Sequence, residues 1–235
     1  MAASKETKII DLSVIGIVVT GFFFAGLGVC MAFLFLATVA LKPYQSVADF
    51  QNYLERIPDR QLLSSAYLKG KVSAGSTWQQ KRGALLGGRS SQVELSADEI
   101  NAWLAATFRQ ASTTLKNNEK FGVLILPGLP NCFVDAELGL LINVPFKVAA
   151  FGSTHECLLI IQGHFSSEPQ VSFEVESMRV NHAVIPLHAG IGNYVMRMLL
   201  RAYSDTDEFA DVEKAWQKVD FVEIDKSVIR MELTR

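Results

Sequence analysis

The segment from Glu94 to Trp103, ELSADEINAW, groups side chains that could do acid–base chemistry. Three carboxylates, Glu94, Asp98 and Glu99, lie close to a serine and an asparagine. Two neighbouring carboxyl groups can work as general acid and general base when their surroundings separate their pKa values. The same residue types at this spacing also open helices, so the segment has a catalytic and a structural interpretation.

The structural interpretation accounts for more of the segment. Ser96 precedes Glu99 by three residues, which is the spacing of a capping box. Leu95 and Ile100 flank this cap as a hydrophobic staple would, and acidic side chains favour the positive end of a helix. We therefore predict that a helix begins here and that Glu99 is structural. Asn101 is unexplained by the cap, and we expect it to bond a neighbouring strand or loop.

Other chemical motifs are missing from the sequence. His155 and Cys157 would share one face of a strand, but no second pair completes a metal ligand set. The nucleophile elbow, the Walker loop, HExxH and GxGxxG do not occur. We predict no catalytic residue, no metal and no cofactor, and an enzyme is only a third hypothesis. With a net charge of -2 and no basic patch, we also predict no nucleic-acid partner.

The positioning elements begin with an apolar stretch. Residues 12–41 contain no charged residue and no histidine, whereas about 20 residues suffice to cross a bilayer. We predict a transmembrane signal anchor over 12–41, a short cytoplasmic tail over 1–11, and an extracytoplasmic C-terminal part at the cytoplasmic membrane. A signal peptide cleaved after Ala40 is the alternative. The basic residues on the two sides of the span do not determine its orientation. We predict the orientation instead from the fact that N-terminal anchors usually precede an exported domain.

Small residues line one face of this predicted span. They are Gly21, Ala25, Gly28 and Ala32, at spacings of four, three and four. Small side chains let two membrane helices approach closely. We predict a helix-association face for self-association or for a protein partner, although small residues are also common in membrane helices without this role.

The remainder of the chain predicts an α+β fold. Residues 42–89 are predicted to form a helical juxtamembrane segment, with short helices over 46–56 and 76–87, and residues 90–235 an α+β extracytoplasmic domain. Strands over 155–163 and 171–176 extend an antiparallel meander. Two helices follow, over 191–202 and from Asp205, the second with Phe209, Val212, Trp216 and Val219 as its apolar stripe. The predicted class is an N-terminal transmembrane helix followed by a curved antiparallel sheet packed on helices.

The clearest strand pattern runs from Phe133 to Val148. Apolar residues occupy every second position, so one face is predicted to be buried and the other wet. The segment is either two strands that meet at Gly139 or one long strand that bends there. The apolar row includes Leu138, Leu140, Ile142, Val144 and Phe146.

Two cysteines follow the predicted span. If Cys132 and Cys157 lie in an exported domain, they could form a disulfide, and they could equally be buried thiols. The sequence leaves both alternatives open.

Three segments together resemble a known family. Residues 95–104 (LSADEINAWL), 181–187 (NHAVIPL) and 219–224 (VDFVEI) resemble the corresponding elements of YpmS-like membrane-anchored bacterial proteins. Asn181 to Ala183 stand where those proteins carry a glycine. The resemblance covers roughly residues 90–235 and implies a sheet around a helix, as in the tubular lipid-binding superfamily.

The resemblance also implies a function. The row from Leu138 to Phe146, together with Trp103, would line an apolar groove for a lipid-like ligand; alternatively, the row simply packs on the Trp103 helix. Our first hypothesis is a non-enzymatic, single-pass membrane-anchored protein that binds an apolar or lipid-like ligand. The alternative is a structural or assembly scaffold of the bacterial envelope that acts through protein–protein contacts.

Overall fold

An apolar N-terminal helix leads into a mixed α/β structure with antiparallel sheets. The computed structural model describes residues 14–56, 66–68, 76–88, 90–108, 123–150, 153–168, 170–187, 190, 194, 197 and 207–234. The helices are α1 (Val14–Thr38), α2 (Val47–Glu55), α3 (Thr77–Gly87), α4 (Ala97–Phe108) and α5 (Asp207–Trp216). The strands are β1 (Lys42–Tyr44), β2 (Ala66–Leu68), β3 (Gln92–Ser96), β4 (Val123–Pro127), β5 (Asn131–Asp135), β6 (Gly139–Ala150), β7 (Ser153–Ser166), β8 (Ser172–Val180), β9 (Ala183–Val184), β10 (Val219–Asp225) and β11 (Val228–Leu233).

Helix α1 is apolar along its length and exposed. Its part from Val18 to Thr38, 21 residues, is long and apolar enough to cross a membrane. Large side chains such as Phe22 and Phe35 point away from the protein. The predicted apolar helix is therefore confirmed, and α2 and α3 also form where the sequence predicts short helices.

The largest sheet has the strand order β4-β6-β7-β8-β9, and β5 also pairs with β6. All of these pairs are antiparallel, which confirms the predicted meander. The two-strand alternative for residues 133–148 is correct, since β5 ends at Asp135 and β6 starts at Gly139. Gly139 has a φ of +75°, and a Cβ there would overlap the carbonyl oxygen of Gly163. Both features require glycine at this turn.

Both faces of β6 are buried around Leu141 and Asn143, so the prediction of a wet face is wrong there, whereas Lys147 farther along the same face is exposed as predicted. On the face expected to be wet, Leu141 is covered and Asn143 is only 1% exposed. Phe50 and Leu54 of α2 and Leu68 of β2 pack with Leu141. The amide of Asn143 is satisfied there, because its Nδ2 donates to the Oδ1 of Asn131 at 3.3 Å and to the carbonyl of Leu68 at 3.4 Å.

A second sheet and three helices cover the opposite face. Strands β10, β11 and β3 form a three-stranded antiparallel sheet. Its side chains pack with Cys132, Val134 and Leu140 of the large sheet, and with α3, α4 and α5. We call the face that carries Leu140 the inner face, and the face that carries Leu141 the outer face.

The last predicted helices are confirmed only in part. Helix α5 forms, but Phe209 of its predicted apolar stripe is 39% exposed, whereas Ala215 is buried. Asp205, its predicted first residue, lies outside the described residues. Most of the predicted helix over 191–202 also lies outside them; Tyr194 and Arg197 are helical and exposed.

The cysteines are free thiols. Cys132 is buried and Cys157 half-buried, and neither takes part in a disulfide. Burial, with a smaller contribution from Asp98, raises the pKa of Cys132 to about 12. Of the two alternatives, a disulfide or buried thiols, the structure therefore has Cys132 as a buried thiol. With so high a pKa this thiol stays protonated at neutral pH and is not a nucleophile.

Candidate functional site

The carboxylate-rich segment forms a helix cap. The hydroxyl of Ser96 accepts from the backbone N–H of Glu99 at 3.3 Å, and the carboxylate of Glu99 accepts from the N–H of Ser96 at 2.9 Å. Lys81 of α3 donates to the same carboxylate at 2.7 Å. Burial raises the pKa of Glu99, but the bonds from Lys81, Ser96 and Thr77 outweigh it, so the pKa is below its ordinary value. The carboxylate is thus held as an anion by structural partners, and the predicted capping box is confirmed.

Removal of the cap should have a modest effect. We expect Ser96→Ala to lower the free energy of unfolding by about 1 kcal/mol, because the N–H of Glu99 loses its acceptor. Glu99→Gln retains a side-chain oxygen for the cap, so it should lower the free energy of unfolding by less than Ser96→Ala does. Its remaining cost comes from the weakened contact to Lys81. Asp98→Asn, on an exposed position of the same turn, is the control. Urea unfolding measures all three, and a Ser96→Ala value equal to that of Asp98→Asn would contradict the capping role.

Asn101 bonds a strand, as the sequence predicts. Its Oδ1 accepts from the backbone N–H of Cys132 at 2.6 Å, and its Nδ2 donates to the carbonyl of Cys132 at 2.9 Å. The side chain is buried. It pairs with β5 as a residue of a neighbouring strand would, and so fixes α4 against the large sheet.

A second carboxylate joins three helices. Glu208 of α5 accepts two bonds from the guanidinium of Arg82 on α3, one of them at 2.6 Å, and one from the indole N–H of Trp103 on α4, also at 2.6 Å. Glu208 is thus the ion-pair partner of Arg82. The bonds from Arg82 lower its pKa, against the effect of burial, and the bond from Trp103 lowers it further. With its donors in place, this carboxylate holds α3, α4 and α5 together.

This ion pair should make stability depend on acidity. Because the pKa of Glu208 is depressed in the folded protein, its contribution is present above the unfolded-state pKa of about 4.3 and is lost as the pH falls through the folded value. We expect Glu208→Gln to be less stable than wild type at neutral pH and this difference to shrink in acid. Urea unfolding from pH 7 to pH 3 measures it. A difference that is constant over this range would contradict the role of the charge.

The predicted ligand-lining row is divided between the two faces. Leu140 packs in the inner-face cluster that Trp103 borders, and Val144 and Phe146 pack in a second inner-face cluster farther along β6. Ile142 contacts both clusters. Leu138 lies instead on the outer face with Phe50, because the turn before Gly139 breaks the alternation. The inner face therefore brings together Leu140, Ile142, Val144 and Phe146.

The C-terminal end of α1 is bonded to the large sheet. The side chain of Asn181 donates to the carbonyl of Ala37 at 2.5 Å and accepts from the N–H of Leu158 at 2.9 Å. The N–H of His182 donates to the carbonyl of Leu36 at 3.2 Å, and the thiol of Cys157 lies 3.9 Å from the carbonyl of Ala37. The last carbonyls of a helix have no intrahelical donor, and here the sheet supplies it.

Sequence reasoning did not assign this role to Asn181. Its φ is +48°, a left-handed conformation that glycine and asparagine adopt most readily. The signal in the sequence is an asparagine near the position where the YpmS-like pattern has a glycine. An alanine or leucine there would be strained and would leave both partners of the amide unbonded.

The small-residue face of α1 is open. Beyond the adjoining backbone of α1 itself, Cβ atoms placed on Gly21 and Gly28 would meet no described atom within 4 Å, and Ala25 and Ala32 are exposed. Another helix could therefore approach along this face without displacing any described part of the chain.

Two comparisons of the sequence were made, with protein families and with curated proteins. No protein-family model matches the chain, and no curated protein matches it. The inferences that follow therefore rest on the residues, the fold and the bonded end of α1.

Proposed function

We propose that this chain is a single-pass membrane protein whose α+β domain lies on the extracytoplasmic side and binds an apolar or lipid-like ligand without catalysing a reaction. One observation carries the proposal. The inner-face cluster of Val144 and Phe146 lies at the end of the sheet to which α1 is bonded. Phe146 is the register partner of Cys157, whose thiol approaches Ala37 of α1.

The membrane anchor is supported by α1. An exposed apolar helix of this length is costly in water and favourable in a bilayer. The bonds from Asn181 and His182 hold the turn between β8 and β9 within hydrogen-bond distance of the helix end. If α1 spans the membrane, this end of the sheet lies at the lipid headgroups, and a ligand could pass between bilayer and domain over a short distance.

The proposed ligand region is the part of the inner face nearest the end of α1. The Phe146 cluster there, like the Leu140 cluster, is bordered by half-buried side chains, among them Ile125, Val148, Cys157 and Leu187. Half-buried apolar side chains can exchange protein contacts for an acyl chain at little cost. We therefore assign the ligand to Val144, Phe146 and Ile142, and not to Leu138.

Native mass spectrometry of the full chain, released from nanodiscs of defined lipids, tests the ligand. We expect bound lipid on the wild type and its loss in Val148→Trp, because the indole ring is larger than the valine side chain and would fill the region around Val148. Lys147→Trp is the matched control, since it adds the same ring to an exposed position on the opposite face. A wild type without bound lipid, or equal loss in both variants, would contradict the proposal.

An assembly scaffold is the second candidate, and the open small-residue face of α1 favours it. In this case α1 would associate with another helix through Gly21 and Gly28. Crosslinking in membranes should then give dimers that Gly28→Leu abolishes and Gly26→Leu, one position away from the face, leaves unchanged. Monomers only, in wild type and variants alike, would remove this candidate.

A further inference from the structure

The strongest unexplained charge in the described structure is the guanidinium of Arg179. Arg179 lies on β8 and is half-buried. It has no hydrogen bond and no ion pair with any residue that the structure describes. The Tyr53 hydroxyl is the group that acts on its pKa electrostatically. Burial lowers its pKa to about 10. Arginine is seldom taken out of water without a partner, since desolvation of a charge is costly.

The position of Arg179 follows from the sheet register. Its cross-strand partners are Ile160 on β7 and Val184 on β9. Side chains of such partners lie on one face, about 5 Å apart. Arg179 is thus on the outer face, with a buried isoleucine on one side and an exposed valine on the other.

The same register places Arg179 beside the end of α1. Asn181, which bonds the carbonyl of Ala37, is two residues after Arg179, in the turn that follows β8, and so lies about 7 Å away. Leu41, three residues after α1, packs on Ile160, the cross-strand partner of Arg179. The guanidinium is thus next to the point where the apolar helix leaves the sheet.

The surroundings are those of a membrane interface. Val184 is 68% exposed although it is apolar. Tyr44 and Tyr53 of the juxtamembrane segment stack at 5.0 Å, and Lys42 lies over the ring of Tyr44 at 5.1 Å. Tyrosines and basic side chains with apolar stems are enriched at the headgroup level of membranes.

The carboxylate on the neighbouring strand is already engaged. Glu156 of β7, which acts on Tyr67 electrostatically, is paired with Lys147 at 3.0 Å. The described part of the chain thus gives Arg179 no anion, while the bilayer next to it would offer phosphate groups.

We propose that Arg179 binds the phosphate group of a membrane lipid headgroup and so fixes the domain on the bilayer surface. This inference rests on the proposed membrane anchor, but not on the inner-face ligand, because Arg179 lies on the other face of the sheet. A guanidinium can donate two parallel bonds to phosphate oxygens. Anionic phosphatidylglycerol should therefore bind better than a zwitterionic lipid, whose own cation competes.

Titration of the full chain in detergent with phosphatidylglycerol, followed by native mass spectrometry, tests the site. We expect Arg179→Gln to weaken binding about tenfold, as the loss of a charged hydrogen-bond donor implies. Arg179→Lys should give an intermediate affinity. Arg230→Gln is the control, because Arg230 is already paired with Glu94 at 2.9 Å on another sheet. Equal affinities for wild type and Arg179→Gln would overturn the proposal.

Two further readouts separate binding from other roles. In lipid-free detergent Arg179→Gln should unfold at the same temperature as wild type or a higher one, and only wild type should gain stability from the lipid. A large loss of stability without lipid would make Arg179 structural and overturn the site. If inorganic phosphate displaced phosphatidylglycerol at an equal concentration of phosphate groups, the site would bind a free anion, and the proposal of a lipid headgroup would be overturned.

Flotation with liposomes distinguishes this inference from the function on which it rests. Wild type and Arg179→Gln should both float, because α1 remains. If both float but have equal lipid preference, the Arg179 site is wrong and the anchor stands. If neither floats, the anchor itself is wrong, and the inference is overturned with it.

Discussion

Asn181→Ala is expected to lower the free energy of unfolding of the full chain in detergent by about 3 kcal/mol or more. The amide bonds Ala37 of α1 and Leu158 of β7 and is only 3% exposed. Each buried partner left without its bond costs roughly 1–3 kcal/mol. The φ of +48° adds about 1 kcal/mol for alanine. Urea unfolding followed by circular dichroism measures the total.

Variants at the same bend separate the two contributions. Asn181→Gly tolerates the positive φ and should show the loss of the hydrogen bonds alone. His182→Ala is the matched control, because His182 contacts α1 through its backbone N–H and not through its side chain. We expect His182→Ala to change stability by less than about 0.5 kcal/mol. An Asn181→Ala loss no larger than this would show that the amide does not hold the helix to the sheet.

Asn101→Ala is expected to lower the free energy of unfolding by about 2–4 kcal/mol. It removes the acceptor and the donor that pair with the backbone of Cys132, and both of those groups are buried with it. Unpaired buried backbone groups cost about 1–3 kcal/mol each. Chemical unfolding measures the loss, and weaker protection of the Cys132 amide in hydrogen exchange should accompany it.

A double-mutant cycle tests this pairing. Cys132→Ala retains both backbone groups, so the cost of Asn101→Ala should be the same in the presence and absence of the thiol. A cost that disappears in the Cys132→Ala background would mean that Asn101 acts through the side chain of Cys132 instead.

Local chemistry made part of this structure predictable. The capping box of Ser96 and Glu99 depends on residues three apart, so its partners are visible in the sequence, and it is confirmed. Asn101 stands out as a poor helix former that the cap does not explain, which predicts a partner outside the helix. The antiparallel meander follows from period-two patterns separated by short turns.

Tertiary packing explains what the sequence could not predict. Asn143 alternates with apolar residues and so predicts a wet face, but α2 and β2 cover that face and the amide bonds Leu68 and Asn131. The turn before Gly139 moves Leu138 out of the row to which its spacing assigned it. Asn181 acts on a helix that is distant in sequence, and no local pattern reveals such a partner.

The candidate site was predictable to a similar degree. The apolar helix and most of the inner-face row follow from hydropathy and alternation. The charge of Arg179, which has no ion pair among the described residues, does not follow from either, because a single arginine in a strand usually lies in solvent. Its burial next to the end of α1 depends on how Leu41 and Tyr53 pack against the sheet.

The central claim is that α1 crosses the bilayer and holds the β9 end of the sheet at its surface. The most direct test is a fluorophore on Val184→Cys, in a Cys30→Ser, Cys157→Ser background, in nanodiscs with a quencher on the lipid headgroup. The reference is the same label on Glu94→Cys, in the three-stranded sheet. We expect strong quenching at Val184 and weaker quenching at Glu94. Quenching at Val184 that is absent, or no stronger than at Glu94, would contradict it.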